Sequence, residues 1–319
     1  MEIVKKIGAT GVLPVINIPN SDIALPIAKA LIDGGMLSLE VTLRSKDSLE
    51  SIAKIKKAYP DLVLGAGTVL NVETVDKALN AGADFIVAPG FDEEVVDYCN
   101  SKGIIIVPGC SNPTEIQKAL KKGLEIIKFF PAEISGGVNA LKLYAGAFSS
   151  VKFVPTGGIT LDNLKDYLSL PNVLACGGSF MAPSDKVKNQ EFDKIIELSK
   201  KAISISMGFE LAHVGINNKD KQTALNTASL ISEIFGFDKK YYNSATFSGT
   251  YVENMHTQGY GENGHIGFST ISMKRAMDYL TLKGVKFNQE SVKKDEKGNV
   301  TCIYLKDDIA GFAFHIVKK

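Results

Sequence analysis

"MLSLEVTLR", residues 36–44, alternates apolar and polar side chains with period two, the pattern of a β-strand with two different faces. Leu37, Leu39, Val41 and Leu43 share one face; Ser38, Glu40, Thr42 and Arg44 share the other, Arg44 lying at or just beyond the strand end. The apolar face is the one that meets helices, so Glu40 is expected to point into an enclosed interior. A carboxylate there needs a cation or a proton relay.

Seven further runs of this kind flank it: "GVLPVINI", "LVLGAGTV", "ADFIVAPG", "IIIVPGC", "LEIIKFFP", "VKFVPTGG" and "VLACGGSF". Between them lie amphipathic stretches such as "SKDSLESIAKIKKAYP" and "NVETVDKALNAG", opened by Ser or Asn and closed by Pro or Gly, as helix ends prefer. Eight strand–helix units within residues 11–205 predict an α/β fold, a (β/α)8 TIM barrel with its active site at the carboxyl ends of the strands. An open doubly wound sheet is the alternative arrangement.

In a barrel, Lys128, in the middle of "LEIIKFFPAE" (124–133), can approach Glu40. A buried ammonium costs several kcal/mol, roughly, unless it is paired, neutralised or converted into something else. An uncharged interior lysine is a nucleophile toward a ketone, and the resulting protonated imine withdraws electrons so that a neighbouring carbon–carbon bond breaks. Glu40, directly or through one water, is the candidate proton shuttle. A buried structural ion pair is the other reading of the same two residues. Lys152, at the start of "VKFVP", is expected on the surface at the opposite end.

The last two strands end in "PTGGI" (155–159) and "GGSF" (177–180). Gly-Gly alone often just makes a tight turn. Two such motifs after strands seven and eight favour a phosphate site, with Ser179 and the amides of Gly157, Gly158 and Gly178 as donors.

After residue 205 the pattern changes, which divides the chain into domains 1–205 and 206–319. "FELAHVGINN", a helical "QTALNTASLISEIFG", "KYYNSATFSG" and "TYVENMHT" are followed by "GHIGFST", a helical "SMKRAMDYLTLKG", "VKFNQESV", "NVTCIYLKD" and "GFAFHIVK". This is a βαβββ repeat, an α+β domain of paired modules. Aligning "AHVGI" with "GHIGF" and "GTYVE" with "GFAFH" pairs His213 with His265 and Glu253 with His315, four potential metal ligands at two equivalent pairs of positions.

Thirty-six basic and 35 acidic residues leave a net charge of +1 without a long single-sign block, which argues against nucleic acid or an anionic membrane as partner. The four cysteines form no CxxC pair and are expected as reduced thiols of a cytoplasmic protein, without disulfides. "MEIVKKIGATGVLPV" lacks the apolar core of a signal peptide, and no apolar run reaches membrane-spanning length, so a soluble, unprocessed chain is expected.

With Glu40, Arg44, Thr68, Lys128 and both glycine motifs in place, residues 1–205 resemble the KDPG/KHG aldolases, which act on 2-keto-3-deoxy-6-phosphogluconate and 4-hydroxy-2-oxoglutarate. The matching stretches, in the family's order, are "LEVTLR", "GAGTV", "APG", "PGCSNPTE", "KFFPAE", "PTGGI" and "GGSF". The resemblance implies a class I lyase that cleaves KDPG to pyruvate and glyceraldehyde 3-phosphate, with 4-hydroxy-2-oxoglutarate as a further substrate. It implies that Lys128 forms the imine, that Glu40 moves the protons, that Arg44 and Thr68 hold the keto-acid end, that Pro89 and Thr156 shape the pocket, and that Phe130 packs beside the imine. A homotrimer and a reaction without metal or other cofactor are implied as well. Asn112, Phe180 and "APG" stand where the family commonly has Thr, Trp and "SPG", so substrate preference is less fixed than reaction class. The same residues also fit a phosphate-binding isomerase or synthase that uses Glu40 and Lys128 as acid and base without an imine.

Residues 206–319 are similar to glyoxalase-type vicinal oxygen chelate domains. His213, Glu253 and His265 match that family's ligand positions, and His315 stands where a glutamate is usual. Three imidazoles and a carboxylate suit Zn²⁺, Ni²⁺, Mn²⁺ or Fe²⁺. A metal-free module for ligand sensing or assembly is the alternative. His256, just past its strand, is expected as an exposed turn residue.

Overall fold

The computed structural model describes residues 2–319, which divide into two compact units, one ending at Ser206 and the other running from Met207 to Lys319. In the first, the strands are β1 (Val12–Ile16), β2 (Ser38–Thr42), β3 (Val63–Gly67), β4 (Phe85–Val87), β5 (Ile105–Val107), β6 (Gly109–Cys110), β7 (Ile126–Phe129), β8 (Lys152–Pro155) and β9 (Cys176–Gly178). β5 and β6 share one strand position. Pro108, which has no N–H, stands between them, and the chain pairs with β4 before it and with β7 after it.

The pairings of these strands are parallel, in the orders β5-β4-β3-β2-β1-β9 and β6-β7-β8. Parallel bridges Phe153↔Val173 and Thr156↔Gly177 carry the pairing from β8 toward β9. Every residue of β2 is buried, as expected of a parallel strand covered on both faces.

Inside, Leu13, Val63, Phe85, Val87, Val107, Val154 and Ala175 pack together with Ile7 of the helix Glu2–Thr10. That helix lies outside the strand–helix series read from the sequence, and its Ile7 helps to fill the interior beneath the strands' carboxyl ends. Only a void of about 10 Å³ remains between this apolar layer and Glu40 with Lys128. Lys152 is exposed at the start of β8, where its ammonium donates to the Pro171 carbonyl at 2.8 Å.

The second unit is one sheet of β10 (Glu210–Ile216), β11 (Lys239–Tyr241), β12 (Ala245–Ser248), β13 (Val252–Met255), β14 (Gly264–Thr270), β15 (Phe287–Lys294), β16 (Val300–Leu305) and β17 (Phe312–Lys318). The strand order is β11-β12-β13-β10-β14-β17-β16-β15. A helix follows β10 (Lys221–Phe235) and another follows β14 (Met273–Leu282), so each half reads β-α-β-β-β. The first of these helices starts where Asp220 accepts from the Thr223 amide and ends at Gly236, whose φ of 69° is left-handed.

The halves join along the antiparallel β10–β14 pair. In one half Gly215 lies opposite Glu253 and in the other Gly267 lies opposite His315, so Glu253 and His315 occupy equivalent positions. Ser248 donates to the Ala228 carbonyl of the first helix at 3.0 Å, which leaves its neighbour Phe247 on the helix-free face.

His256 is buried, contrary to its expected place in an exposed turn. Its amide extends the β12–β13 ladder by bonding the Ser244 carbonyl at 2.9 Å, which draws the ring inward. There Nε2 is 2.9 Å from Thr246 Oγ1 and Nδ1 is 3.1 Å from the Asn243 carbonyl. All four cysteines are free and buried. Among the described residues, no helix is long and apolar enough to cross a membrane.

Candidate active site and metal centre

A pocket of about 260 Å³ sits at the carboxyl ends of the strands of the first unit. Lys128, from β7, and Glu40, from β2, line it, with relative exposures of only 7% and 1%. Nζ lies 3.5 Å from Oε1. Room for the carboxylate comes from Gly67 of β3, where a Cβ would overlap Glu40 Oε1. The Phe130 ring lies beside the amine, its centroid 5.4 Å from Nζ.

Arg44 lies beyond the end of β2, and its Nε donates to Thr42 Oγ1 at 3.2 Å, while that hydroxyl donates to the Ile16 carbonyl at 3.1 Å. The guanidinium is thereby tied to β1 through Thr42. The sequence places Thr42 on the inward face of "MLSLEVTLR" without assigning it a role. Thr68 follows β3 with φ of 62°, a backbone conformation that β-branched residues rarely adopt and that folded proteins tend to keep at functional sites. Arg44, Thr68 and Pro89 all line the pocket.

Thr156, Gly157, Gly158, Gly178 and Ser179 form the remaining wall together with Ile159. Gly157 and Gly158 have φ of 96° and 84°, a run in which side chains other than hydrogen would be strained. Gly177 is needed for another reason, since a Cβ there would collide with Thr156 Oγ1. Behind the loop, the Tyr167 hydroxyl donates to the Glu133 carboxylate, and the Glu133 amide donates to the Gly157 carbonyl at 3.1 Å.

Each first-unit residue that the sequence named for a catalytic or substrate-binding role therefore lies on one pocket, with Val15, Thr42 and Ile159 in addition. The three departures from the family pattern lie off it. Asn112 caps the helix Pro113–Lys121 by accepting from the Glu115 amide at 3.1 Å, a role that Thr also fills. Ala88 is buried, and the Phe180 ring lies across Gly178, 2.7 Å from where a Cβ would stand.

In the second unit, β10, β13, β14 and β17 bring His213, Glu253, His265 and His315 together. His213 Nε2 is 3.2 Å from His265 Nε2 and 3.1 Å from His315 Nε2; Glu253 Oε2 is 3.1 Å from His265 Nε2 and 3.3 Å from His213 Nε2. Donor atoms held tetrahedrally at metal–ligand lengths of about 2.0–2.1 Å stand roughly 3.3 Å apart; the three imidazoles, within 4.8 Å of one another, form a group that could hold one ion, and Glu253 lies beside two of them.

Burial holds His213 below its ordinary pKa against the opposing pull of Glu253, and takes His315 down to about 3 with help from the other two imidazoles. Burial works to raise Glu253, but the His265 hydrogen bond and the nearby imidazoles prevail and lower it. These directions favour a Glu253 carboxylate and neutral His213 and His315 imidazoles, the forms that bind metal.

Two glycines make this convergence sterically feasible. A Cβ at Gly215 would fall within the His265 ring, and one at Gly267 would stand 2.5 Å from His315 Nε2 and 2.9 Å from His213 Cε1. Their signal is legible afterwards as the repeated His-x-Gly of "AHVGI" and "GHIGF". Cys302 Sγ lies 3.2 Å from His315 Nδ1, and the Tyr304 ring stacks on His315 with centroids 4.6 Å apart. His265 Nδ1 is buried without a hydrogen-bond partner.

Residues 3–198 match the family model for KDPG and KHG aldolase. The chain is 44% identical over 194 residues to the 2-dehydro-3-deoxy-phosphogluconate aldolase of Treponema pallidum, a match covering 61% of this chain and 92% of that protein. The crystal structure of a KDPG aldolase from Legionella pneumophila, with pyruvate captured at low pH as a covalent carbinolamine intermediate, superposes with a TM-score of 0.62 at 37% identity. It covers 63% of this chain and 98% of that one. A Zymomonas mobilis 2-keto-3-deoxy-6-phosphogluconate aldolase, solved with 3-phosphoglycerate, gives a TM-score of 0.59 at 40% identity, over 64% of this chain and 95% of that one. A parallel α/β fold, a lysine and carboxylate in one pocket, and a family match over residues 3–198 lead to one conclusion: the chain belongs to the KDPG and KHG aldolase family of lyases.

Proposed function

We propose that the first unit, a closed (β/α)8 barrel, cleaves 2-keto-3-deoxy-6-phosphogluconate to pyruvate and glyceraldehyde 3-phosphate through an imine on Lys128. The observation that carries this reading is the buried Lys128 amine 3.5 Å from Glu40, in a pocket whose far wall is the glycine-rich Gly157–Gly158 and Gly178–Ser179 loops. Arg44 and Thr68 take the substrate carboxylate, and the loop amides with Ser179 take the phosphate.

The Lys128 amine adds to the C2 ketone, and loss of water from the carbinolamine gives the protonated imine. Glu40 accepts the proton of the C4 hydroxyl as the C3–C4 bond breaks, and the bond's electrons flow into the imine to leave an enamine and the aldehyde. Glu40 then returns a proton to C3, and water releases pyruvate and the free amine. The same steps apply to 4-hydroxy-2-oxoglutarate, which would give pyruvate and glyoxylate. Pyruvate release from KDPG by wild type and Lys128→Met tests the reading: the variant keeps its fold and loses cleavage. An acid–base isomerase would release no pyruvate from either protein.

A homotrimer in the cytoplasm belongs to the same proposal. Ile134 and Leu143, 88% and 76% exposed, support a further interface, and the four free thiols support a reducing compartment. Light scattering of the purified protein tests the oligomer.

For the second unit we propose a glyoxalase-like domain in which His213, Glu253, His265 and His315 hold one divalent ion, Zn²⁺, Ni²⁺, Mn²⁺ or Fe²⁺. Support comes from four donor atoms converging over glycines that leave space between them. When bound, such an ion polarises an oxygen ligand as a Lewis acid. Metal content of the wild type against His213→Ala tests this, with one equivalent expected in the first and a clear loss in the second.

A further inference from the structure

Lys293 on β15 pairs with Cys302 on β16 at a position where the register of the two strands shifts on either side, and paired residues of an antiparallel ladder project to the same face of the sheet. Cys302 Sγ touches His315, so that face is the one carrying the four converging donors. The Lys293 side chain is exposed, and no hydrogen bond or ion pair ties down its ammonium among the described residues. Its charge reaches His213, Glu253 and His315.

Around the donors, aromatic rings stand on two sides. Phe247 meets His213 edge-on at 5.9 Å and is followed by Tyr242; Tyr304 stacks on His315 and is followed by Tyr260 at 4.5 Å. Tyr242 and Tyr260 are both exposed, and the His213 and Glu253 side chains keep 16% and 17% of their surface open, so a small molecule has a route to the donors. The donor set contributes a single negative charge, which a divalent ion would more than cancel. A free ammonium on the same face makes the positive excess larger.

We propose that Lys293 is the anion-recognising residue of this second site, which takes a small carboxylate-bearing ligand flanked by Tyr304 and Phe247. The inference rests on the metal reading of His213, Glu253, His265 and His315. The carboxylate pairs with Lys293 while another oxygen of the same ligand faces the ion.

The test uses the full-length protein loaded with Co²⁺, whose bound equivalents are measured first. The visible cobalt bands are then titrated with pyruvate and with hydroxyacetone, its neutral counterpart of similar size. Pyruvate held at Lys128 leaves these bands unchanged, because they report only the ligand sphere of the ion. The expected result is an apparent affinity for pyruvate at least about tenfold above that for hydroxyacetone, reduced to parity in Lys293→Gln at unchanged cobalt content. Equal affinities in the wild type, or an undiminished preference in Lys293→Gln, would overturn the assignment of Lys293 and leave the metal site standing. Failure of the wild type to take up cobalt would remove the metal reading, and this inference with it.

Discussion

Gly67 and Glu40 share one space: a Cβ at residue 67 would overlap the carboxylate oxygen that faces Lys128. Gly67→Ala therefore pushes the carboxylate away from the amine while leaving the identity of both proposed catalytic side chains unchanged. A displacement near 1 Å costs on the order of 10²-fold in rate, so kcat for KDPG cleavage is expected to fall by about that factor. A wild-type kcat in Gly67→Ala would mean that the position of Glu40 does not matter to the chemistry.

Glu40→Gln keeps the shape of the side chain and removes its capacity to take a proton. General acid–base catalysis contributes roughly 10²- to 10⁴-fold, and a loss in kcat of that size is expected, with Lys128 still able to condense with pyruvate. Steady-state kinetics beside a covalent-trapping assay separates the two functions. Full turnover by Glu40→Gln would reduce the pair to the structural ion pair that the sequence also allowed.

Thr42 anchors Arg44 to β1 through its hydroxyl. Thr42→Val preserves the volume and deletes both bonds of the hydroxyl, of which the one that holds Arg44 is worth about 1 kcal/mol or roughly fivefold in binding. The expected change is a rise in KM for the keto acid of about that size with kcat nearly constant. A drop in kcat alone would place Thr42 in the chemical step instead.

Gly267→Ala puts a methyl group 2.5 Å from His315 Nε2 and 2.9 Å from His213 Cε1, where the proposed ion and its ligands converge. Metal content measured by mass spectrometry should fall as far as in His213→Ala, while aldolase turnover stays at the wild-type level. Retention of a full equivalent would show that the donors do not meet at this point.

Burial raises Cys99 to about 11 and Cys110 to about 12, from an ordinary 9.0. The thiolate is the reactive form, so both resist alkylation at pH 8 in the native protein and react once it is unfolded. Because the folded state holds these protons more tightly, their contribution to stability is complete below about pH 9 and is lost as pH rises toward 11–12. Thermal midpoints between pH 8 and 11 should fall less in a Cys99→Ala, Cys110→Ala variant than in the wild type. An identical pH dependence would show that these thiols do not report on folding.

Much of the first unit was legible because a strand period of two separates faces, so that Glu40, Thr42 and Arg44 declared themselves against Leu39 and Val41. Lys128 stood out because an ammonium in an apolar strand needs a reason. The helix Glu2–Thr10 was hidden for another cause: the glycine that closes it, Gly11 with φ of 67°, reads equally as the first residue of "GVLPVINI", and Ile7 acquires its role only once strands distant in sequence surround it. The cap function of Asn112 had a local mechanism, but its family context drew attention to the pocket instead. His256 was misplaced because one added ladder bond past β13 turns the ring inward, and a strand's last residue is the least certain feature of a sequence pattern. Gly215 and Gly267 were invisible as site residues because their contribution is an absent side chain.

The central claim is a covalent bond at Lys128, and reduction of the enzyme–pyruvate mixture with borohydride addresses it most directly. Peptide mapping of the reduced wild type should locate a single pyruvate-derived adduct on Lys128, absent from Lys128→Met. An adduct on another residue, or KDPG cleavage by the wild type with nothing trapped, would contradict the account.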